Sequence, residues 1–322
     1  MNYKHLTPEQ RYQIYEHKQT GWTQTRIAAA LGVHKSTIGR ELKRNLSRRG
    51  YRPNKAGELA QGRQSGKVKT RISPTTREAI EAALRQQWSP QQICGRLASE
   101  GKPTASHEWI YQYIYRDKRR GGTLHENLRC RRKRKKRYGA YSKRSGLVNQ
   151  ISIDERPAIV NEKSRLGDWE VDLVIGKGQQ QSLVTMVERK TKLLRMKKID
   201  HKTGSLTRDA ICSALQNLVV HTITSDNGRE FSEHEEIARK LQANFYFCHP
   251  YSSWERGINE NTNGLIRQYF PKQTGFATMT EIDIKEAQEK LNHRPRKTLG
   301  YLTPHEAYFK ELALLTNVAL TT

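Results

Sequence analysis

The chain has 322 residues, 35% of them hydrophobic, with 58 Lys and Arg against 32 Asp and Glu and a formal net charge of +26. That length suggests about two domains, each able to bury its own core. No run approaches the roughly 18 apolar residues of a membrane span, and "MNYKHLTPEQ" lacks a signal peptide's apolar centre, so a membrane or secreted protein is not expected.

Residues 1–150 hold 34 Lys and Arg against 10 Asp and Glu, whereas the remainder holds 24 against 22. A basic half joined to a nearly neutral half suits a nucleic-acid-binding region attached to something else. Cys94, Cys130, Cys212 and Cys248 form no C-x-x-C pair and have no histidines at zinc spacing. Four scattered thiols suit a reducing cytoplasm.

In chain order, Thr7-Pro8-Glu9 signals a helix start and Gly21 a stop. Thr23 can cap a second helix, "QTRIAAAL", ending at Gly32, and a third runs from about Lys35 to Arg44. Ala28, Gly32 and Ile38 fall where a helix-turn-helix needs a small contact residue, a turn glycine and an apolar anchor. The third helix would present Lys35, Ser36 and Thr37, with Arg40 one turn on, to base edges or phosphates. This DNA-binding domain is expected over residues 1–50. The stretch from Ser47 to Thr70 has the Gly, Ser and charge content of a linker.

A second helical group, expected over 72–120, is compatible with a further helix-turn-helix. Its Trp109, Tyr111, Tyr113 and Tyr115 recur at helical spacing, a pattern more often core than nucleic-acid surface. Residues 121–150 form a basic linker containing Arg131 to Arg137, seven basic residues in a row, suited to lie along a phosphate backbone.

Beyond residue 150 the period shortens. "DWEVDLVIG", "SLVTMVERK" and "LLRMKKID" read as three antiparallel strands, the first two joined through Gly176-Lys177-Gly178. A helix, "TRDAICSALQNL", then precedes a strand, "VHTITSD". That order opens an α/β ribonuclease-H-like fold. "GKGQQQS" lacks a phosphate-loop lysine and serine, so no nucleotide site is expected there.

Three carboxylates stand out. Asp172 lies inside the first strand, Asp226 ends the later one, and Glu260 follows in "NENTNGLIRQYF", expected to be helical. A charge inside an apolar strand costs several kcal/mol unless it is paired or holds a metal. Carboxylates from two adjacent strands and a nearby helix can meet, and two Mg²⁺ ions held about 4 Å apart would serve phosphodiester chemistry. Asp168, Glu170 and Asp172 alternate, so they can share one face; Asp168 reads as a solvated strand end, and either it or Glu170 could support the site from behind.

"WEVD", "TSDNGREF", "PYSSWERGINENTNGLIRQYFPK" and "LNHRPRKTLGYLTPHEAY", with the N-terminal helix-turn-helix, carry a resemblance over nearly the whole chain. The chain resembles the DDE transposases and retroviral-type integrases, most closely the bacterial insertion-sequence family numbered thirty. The 33 residues between Asp226 and Glu260 match that pattern, while Asp168 and Val171 depart from it. In integrase-like proteins a tryptophan and a glycine precede the catalytic glutamate by six and three residues. Trp254 and Gly257 therefore select Glu260 over Glu255, which becomes a surface or hinge residue.

The resemblance implies an integrase catalytic core over 158–315 and an Asp172, Asp226, Glu260 triad holding two Mg²⁺ ions, with Mn²⁺ able to substitute. It also implies binding of terminal inverted repeats, cutting at their ends, and joining to target double-stranded DNA by a homo-oligomer on paired ends. The expected place is the bacterial cytoplasm, at the nucleoid. Arg267, two turns beyond Glu260, could hold a DNA phosphate. His249 reads as structural. The alternative is a DNA-binding repressor with an inactive nuclease-like domain, which need not keep the triad.

Overall fold

The computed structural model describes residues 5–47, 50–65, 72–129, 147–178, 180–250, 252–272 and 274–319; the basic run Arg131–Arg137 lies outside them. The chain divides into two compact units, Met1–Arg71 and Ile72–Thr322.

In the first unit, helices α1 (Pro8–Gln19), α2 (Gln24–Ala30) and α3 (Lys35–Arg44) follow the punctuation read from sequence. Thr7 caps α1 through a reciprocal capping box with Gln10, and Thr23 caps α2. Gly32 turns the chain at φ +62°, a conformation glycine adopts without strain. Ala28 and Ile38 are buried with Ile14 and Ile27, the close packing a helix-turn-helix requires. The pair Arg11–Glu41, at 2.8 Å, ties α1 to α3.

A short antiparallel pair, β1 (Leu46–Ser47) with β2 (Gly50–Tyr51), leads into α4 (Pro53–Ser65). The linker reading is corrected over residues 50–65, while 66–70 lie outside the described residues. Tyr51 and Ala56 belong to the first unit's core, and tertiary burial overrides a Gly- and charge-rich composition.

The second unit opens with α5 (Pro74–Arg85), α6 (Pro90–Ser99) and α7 (His107–Arg119), capped by Ser73, Ser89 and Ser106. Their core is Ile80, Leu84, Ile93, Ile110 and Ile114. Of the α7 aromatics, Trp109 packs against this core. Ile110 and Ile114 take the inward positions, while Trp109 stacks on Tyr113 at 5.2 Å along a half-buried face and Tyr115 is exposed. Gly95 on α6 lies under the Tyr301 ring, and Arg96 pairs with Glu306.

After α8 (Ala158–Glu162) come β3 (Asp168–Ile175), β4 (Ser182–Glu188) and β5 (Leu194–Ile199), then α9 (Gly204–Leu215), β6 (Thr222–Ser225), α10 (His234–Leu241) and β7 (Asn244–Phe247). The five strands form one mixed sheet in the order β5-β4-β3-β6-β7. β3 to β5 pair antiparallel, while β6 and β7 add in parallel. Helices α11 (Gly257–Tyr269), α12 (Glu281–Asn292) and α13 (Pro304–Ala319) complete the chain.

Alternation along β3 sorts its side chains. Trp169, Val171 and Leu173 join the core with α9 and α10. Residues of the other parity, such as Val174, face α11 and α12 on the opposite side of the sheet. This sheet with helices on both faces is the ribonuclease-H-like core expected from sequence. Among the described residues no helix is long and apolar enough to cross a membrane.

Candidate active site

Asp172 stands on β3, and Asp226 follows the C-terminal end of β6, the parallel neighbour of β3. The two carboxylates share one cation: the Arg256 guanidinium lies 3.2 Å from Asp172 and 3.4 Å from Asp226. Arg256 also donates to the Val171 carbonyl and is buried. Burial works against its charge, yet the two aspartates more than offset this and leave its pKa raised.

Asp172 accepts from the Asn263 amide at 2.7 Å and from the backbone N–H of Leu173. Burial pushes its carboxyl above the ordinary 3.8; Arg256 opposes that shift and Asp226 adds to it. The Asp226 carboxylate accepts the Gly228 N–H at 3.0 Å. Next to it, Asn227 bridges Gln150 and the Cys248 carbonyl, fixing the turn that follows β6.

Of the three alternating acids on β3, Asp172 is the one that reaches solvent, with a quarter of its side chain exposed. Asp168 and Glu170 are fully buried. The reading of Asp168 as a solvated strand end is corrected: it forms a bidentate pair with Arg165 and accepts from Thr222. A carboxylate that must meet a substrate has to remain accessible.

Glu170 pairs with Arg189 at 2.7 Å and accepts the backbone N–H of Asn259 in the first turn of α11. It therefore caps α11 from the sheet, where no local side chain does so. Thr185 on β4 lies 3.2 Å from Asn259 and 3.1 Å from Asn263, a second tie between sheet and helix.

Glu260 sits in the first turn of α11, about one turn beyond Arg256, and is exposed. Its side chain has no hydrogen-bond or ion-pair partner among the described residues. Among those residues no three His, Cys, Asp or Glu side chains stand close enough together to share a metal ion. Thus Asp172 and Asp226 are brought together, and Glu260 is not brought onto them.

Glu255 has a defined task in place of the surface or hinge role read from sequence. It accepts from the His249 backbone N–H at 2.9 Å and pairs with His249 Nδ1 at 2.8 Å. His249 Nε2 reaches Asp154. The Glu255 and Asp154 contacts raise the His249 pKa, and the histidine pins the loop before α11. Arg267 donates to the carbonyls of Ile175 and Phe270, which joins α11 to the end of β3.

At the other expected contact, α3 exposes Lys35 and Arg40, with Ser36 and Thr37 half-buried. The Arg40 guanidinium folds back onto the Ser36 hydroxyl at 2.7 Å. Sequence reasoning missed Arg256, Arg189 and Asn263. The available signal was a lone arginine between Glu255 and Gly257 at the head of an acid-bearing helix.

A family model described as a helix-turn-helix domain matches residues 2–45. The chain is 45% identical over 98% of its length to the transposase for insertion sequence element IS4351 of Bacteroides fragilis, covering 98% of that protein. It is 34% identical to the transposase InsI for insertion sequence element IS30A of Escherichia coli, over 96% of this chain and 85% of that one. Among solved structures, the catalytic core domain of BIV integrase aligns at TM-score 0.39 and 22% identity, covering 46% of this chain and 97% of its own.

Proposed function

The chain belongs to the transposases of insertion sequence elements, and from that premise we propose that Asp172, Asp226 and Glu260 form its catalytic centre. The activity is DNA transposition, in which DNA is cut and its strands are joined. The observation that carries the site proposal is the Arg256 guanidinium between Asp172 and Asp226. Two oxygen-donor carboxylates already share one positive charge, the donor chemistry that Mg²⁺ or Mn²⁺ takes. Asp172 and Asp226 would hold the ion, and Glu260 would complete the set from α11 by turning inward.

Divalent ions held by these carboxylates would supply Lewis-acid activation of the attacking oxygen and stabilisation of the leaving one. The protein's own residues supply position. Glu170 and Asn263 hold α11 against β3, Gly228 fixes the Asp226 carboxylate, and Arg256 keeps the aspartates facing each other. The reading is tested by joining pre-cut ends to target DNA with Mg²⁺ and with chelator. Product only with the ion is expected, and robust joining in EDTA overturns it.

Arg256→Gln gives a readout independent of turnover. Removing one partner of a buried ion pair costs about 3–5 kcal/mol, and the partial exposure of both aspartates brings this to roughly 2. For a unit of this size that lowers Tm by about 4–8 °C without metal. Mn²⁺ should then raise Tm more in the variant than in the wild type, because it replaces a missing cation instead of competing with one. Equal Mn²⁺ shifts would remove the support Arg256 gives.

The helix-turn-helix region, residues 1–50, is proposed to bind the element's inverted-repeat ends through Lys35, Ser36, Thr37 and Arg40, with residues 72–120 adding DNA contacts. The chain would act as a homo-oligomer on paired ends, at the nucleoid. On duplex DNA, every phosphate that is no longer neutralised flattens the log K against log salt slope by about 0.9. Lys35→Ala should do this without changing sequence preference. Arg40→Ala should cost about 1–3 kcal/mol of discrimination if it reads a base. Gel shifts on specific and scrambled ends over a salt series separate the two. Unchanged binding in both variants would exclude α3 as the reading helix.

A further inference from the structure

On the other side of the first turn of α11 lies an open cleft of about 450 Å³. Its lining includes Lys163, Arg189, Lys192, Trp254 and Arg296, with Glu170 and Glu255 as the acids. Glu170 is already paired with Arg189, and Glu255 with His249. Neither Lys163 nor Lys192 is in an ion pair among the described residues, so the cleft holds surplus positive charge. Burial first, then the neighbouring Lys163, pushes the Lys192 ammonium down to about 8.

Trp254 is 73% exposed, more than any other Phe, Tyr or Trp among the described residues. Lys192 donates to the Arg189 carbonyl and so is held in place without a carboxylate to neutralise it, and an indole left in water beside such cations matches a ligand that carries both a flat π-face and negative charge. A nucleotide has both.

The position is also specific. Gly257 and Ile258 line the cleft directly after Arg256. Glu170 lies two residues from Asp172 on the same face of β3, about 7 Å away at strand rise.

We propose that this cleft takes one unpaired nucleotide of the DNA strand being processed, its base stacked on Trp254 and its phosphate held by Lys163 and Lys192. The role is positional: it would fix the strand's register beside Asp172 and Asp226. The proposal rests on the catalytic reading of those two residues, and its test does not.

The full-length protein is titrated in EDTA with a 5′-phosphorylated trinucleotide containing 2-aminopurine, whose fluorescence is quenched by stacking. Wild type should quench it. Trp254→Ala should abolish most of the quench and weaken binding roughly tenfold or more, while Trp254→Phe should keep part of both. The double variant Lys163→Gln, Lys192→Gln should flatten the salt dependence by about 0.7 for each single-strand phosphate left without its lysine. Asp172→Asn should bind and quench as wild type does. Quench and affinity unchanged in both Trp254→Ala and the double lysine variant would overturn the proposal. Asp172→Asn retaining strand joining while the cleft variants respond as stated would instead sink the catalytic reading and leave the cleft standing.

Discussion

Asp172→Asn and Asp226→Asn, made singly, will each lower DNA cleavage and strand joining by about a thousandfold or more while end binding stays near wild type. The amide keeps the shape of the carboxylate and can still accept from Asn263 or Gly228. What it loses is the charge that would hold a divalent ion, whose contribution of several kcal/mol sets the size of the effect. Stability should move the other way for Asp172. Its folded pKa is raised, chiefly by burial, so its ionisation at neutral pH is less favourable folded than unfolded. That contribution is fully favourable below the ordinary 3.8 and is lost as pH rises through the folded value. At pH 7 Asp172→Asn should therefore melt at or above the wild-type temperature, and the difference should vanish towards pH 3. A large Tm loss at pH 7 would make Asp172 a structural ion-pair residue.

Glu260→Gln should also lower strand joining by orders of magnitude, with thermal stability unchanged. The side chain is exposed and has no partner among the described residues, so the change removes nothing that holds the fold. Glu255→Gln should behave differently. It weakens the grip on His249, frees the loop ahead of α11 and should reduce joining only modestly, far less than Glu260→Gln does. The same assay, pre-cut ends in Mg²⁺ at matched protein concentration, ranks the two. A dead Glu255→Gln beside an active Glu260→Gln would move the third acid.

Much of the molecule was legible in the chain. The helices α1 to α3 announced themselves through Thr7, Thr23 and Gly32, because caps and positive-φ turns are local chemistry. The period-2 runs gave β3, β4 and β5, while the three acids were nominated through the family resemblance, and the structure brings Asp172 and Asp226 of them together on Arg256. What stayed hidden depends on tertiary contact. Helix α4 is helical because Ala56 is buried, Asp168 is buried because Arg165 and Thr222 come to it, and Glu170 caps a helix 89 positions away. Arg256 was overlooked because nothing local shows that its guanidinium lies between two aspartates.

Cysteine substitution of Asp226 tests the central claim most directly. A thiolate is a soft ligand that suits Mn²⁺ better than Mg²⁺. Strand joining by Asp226→Cys is measured in each ion against wild type, at matched DNA-end occupancy. The expected result is activity near the chelated background in Mg²⁺ and a partial return in Mn²⁺ that wild type does not mirror. Joining by Asp226→Cys at the wild-type rate in Mg²⁺ would contradict it and show that Asp226 holds no metal.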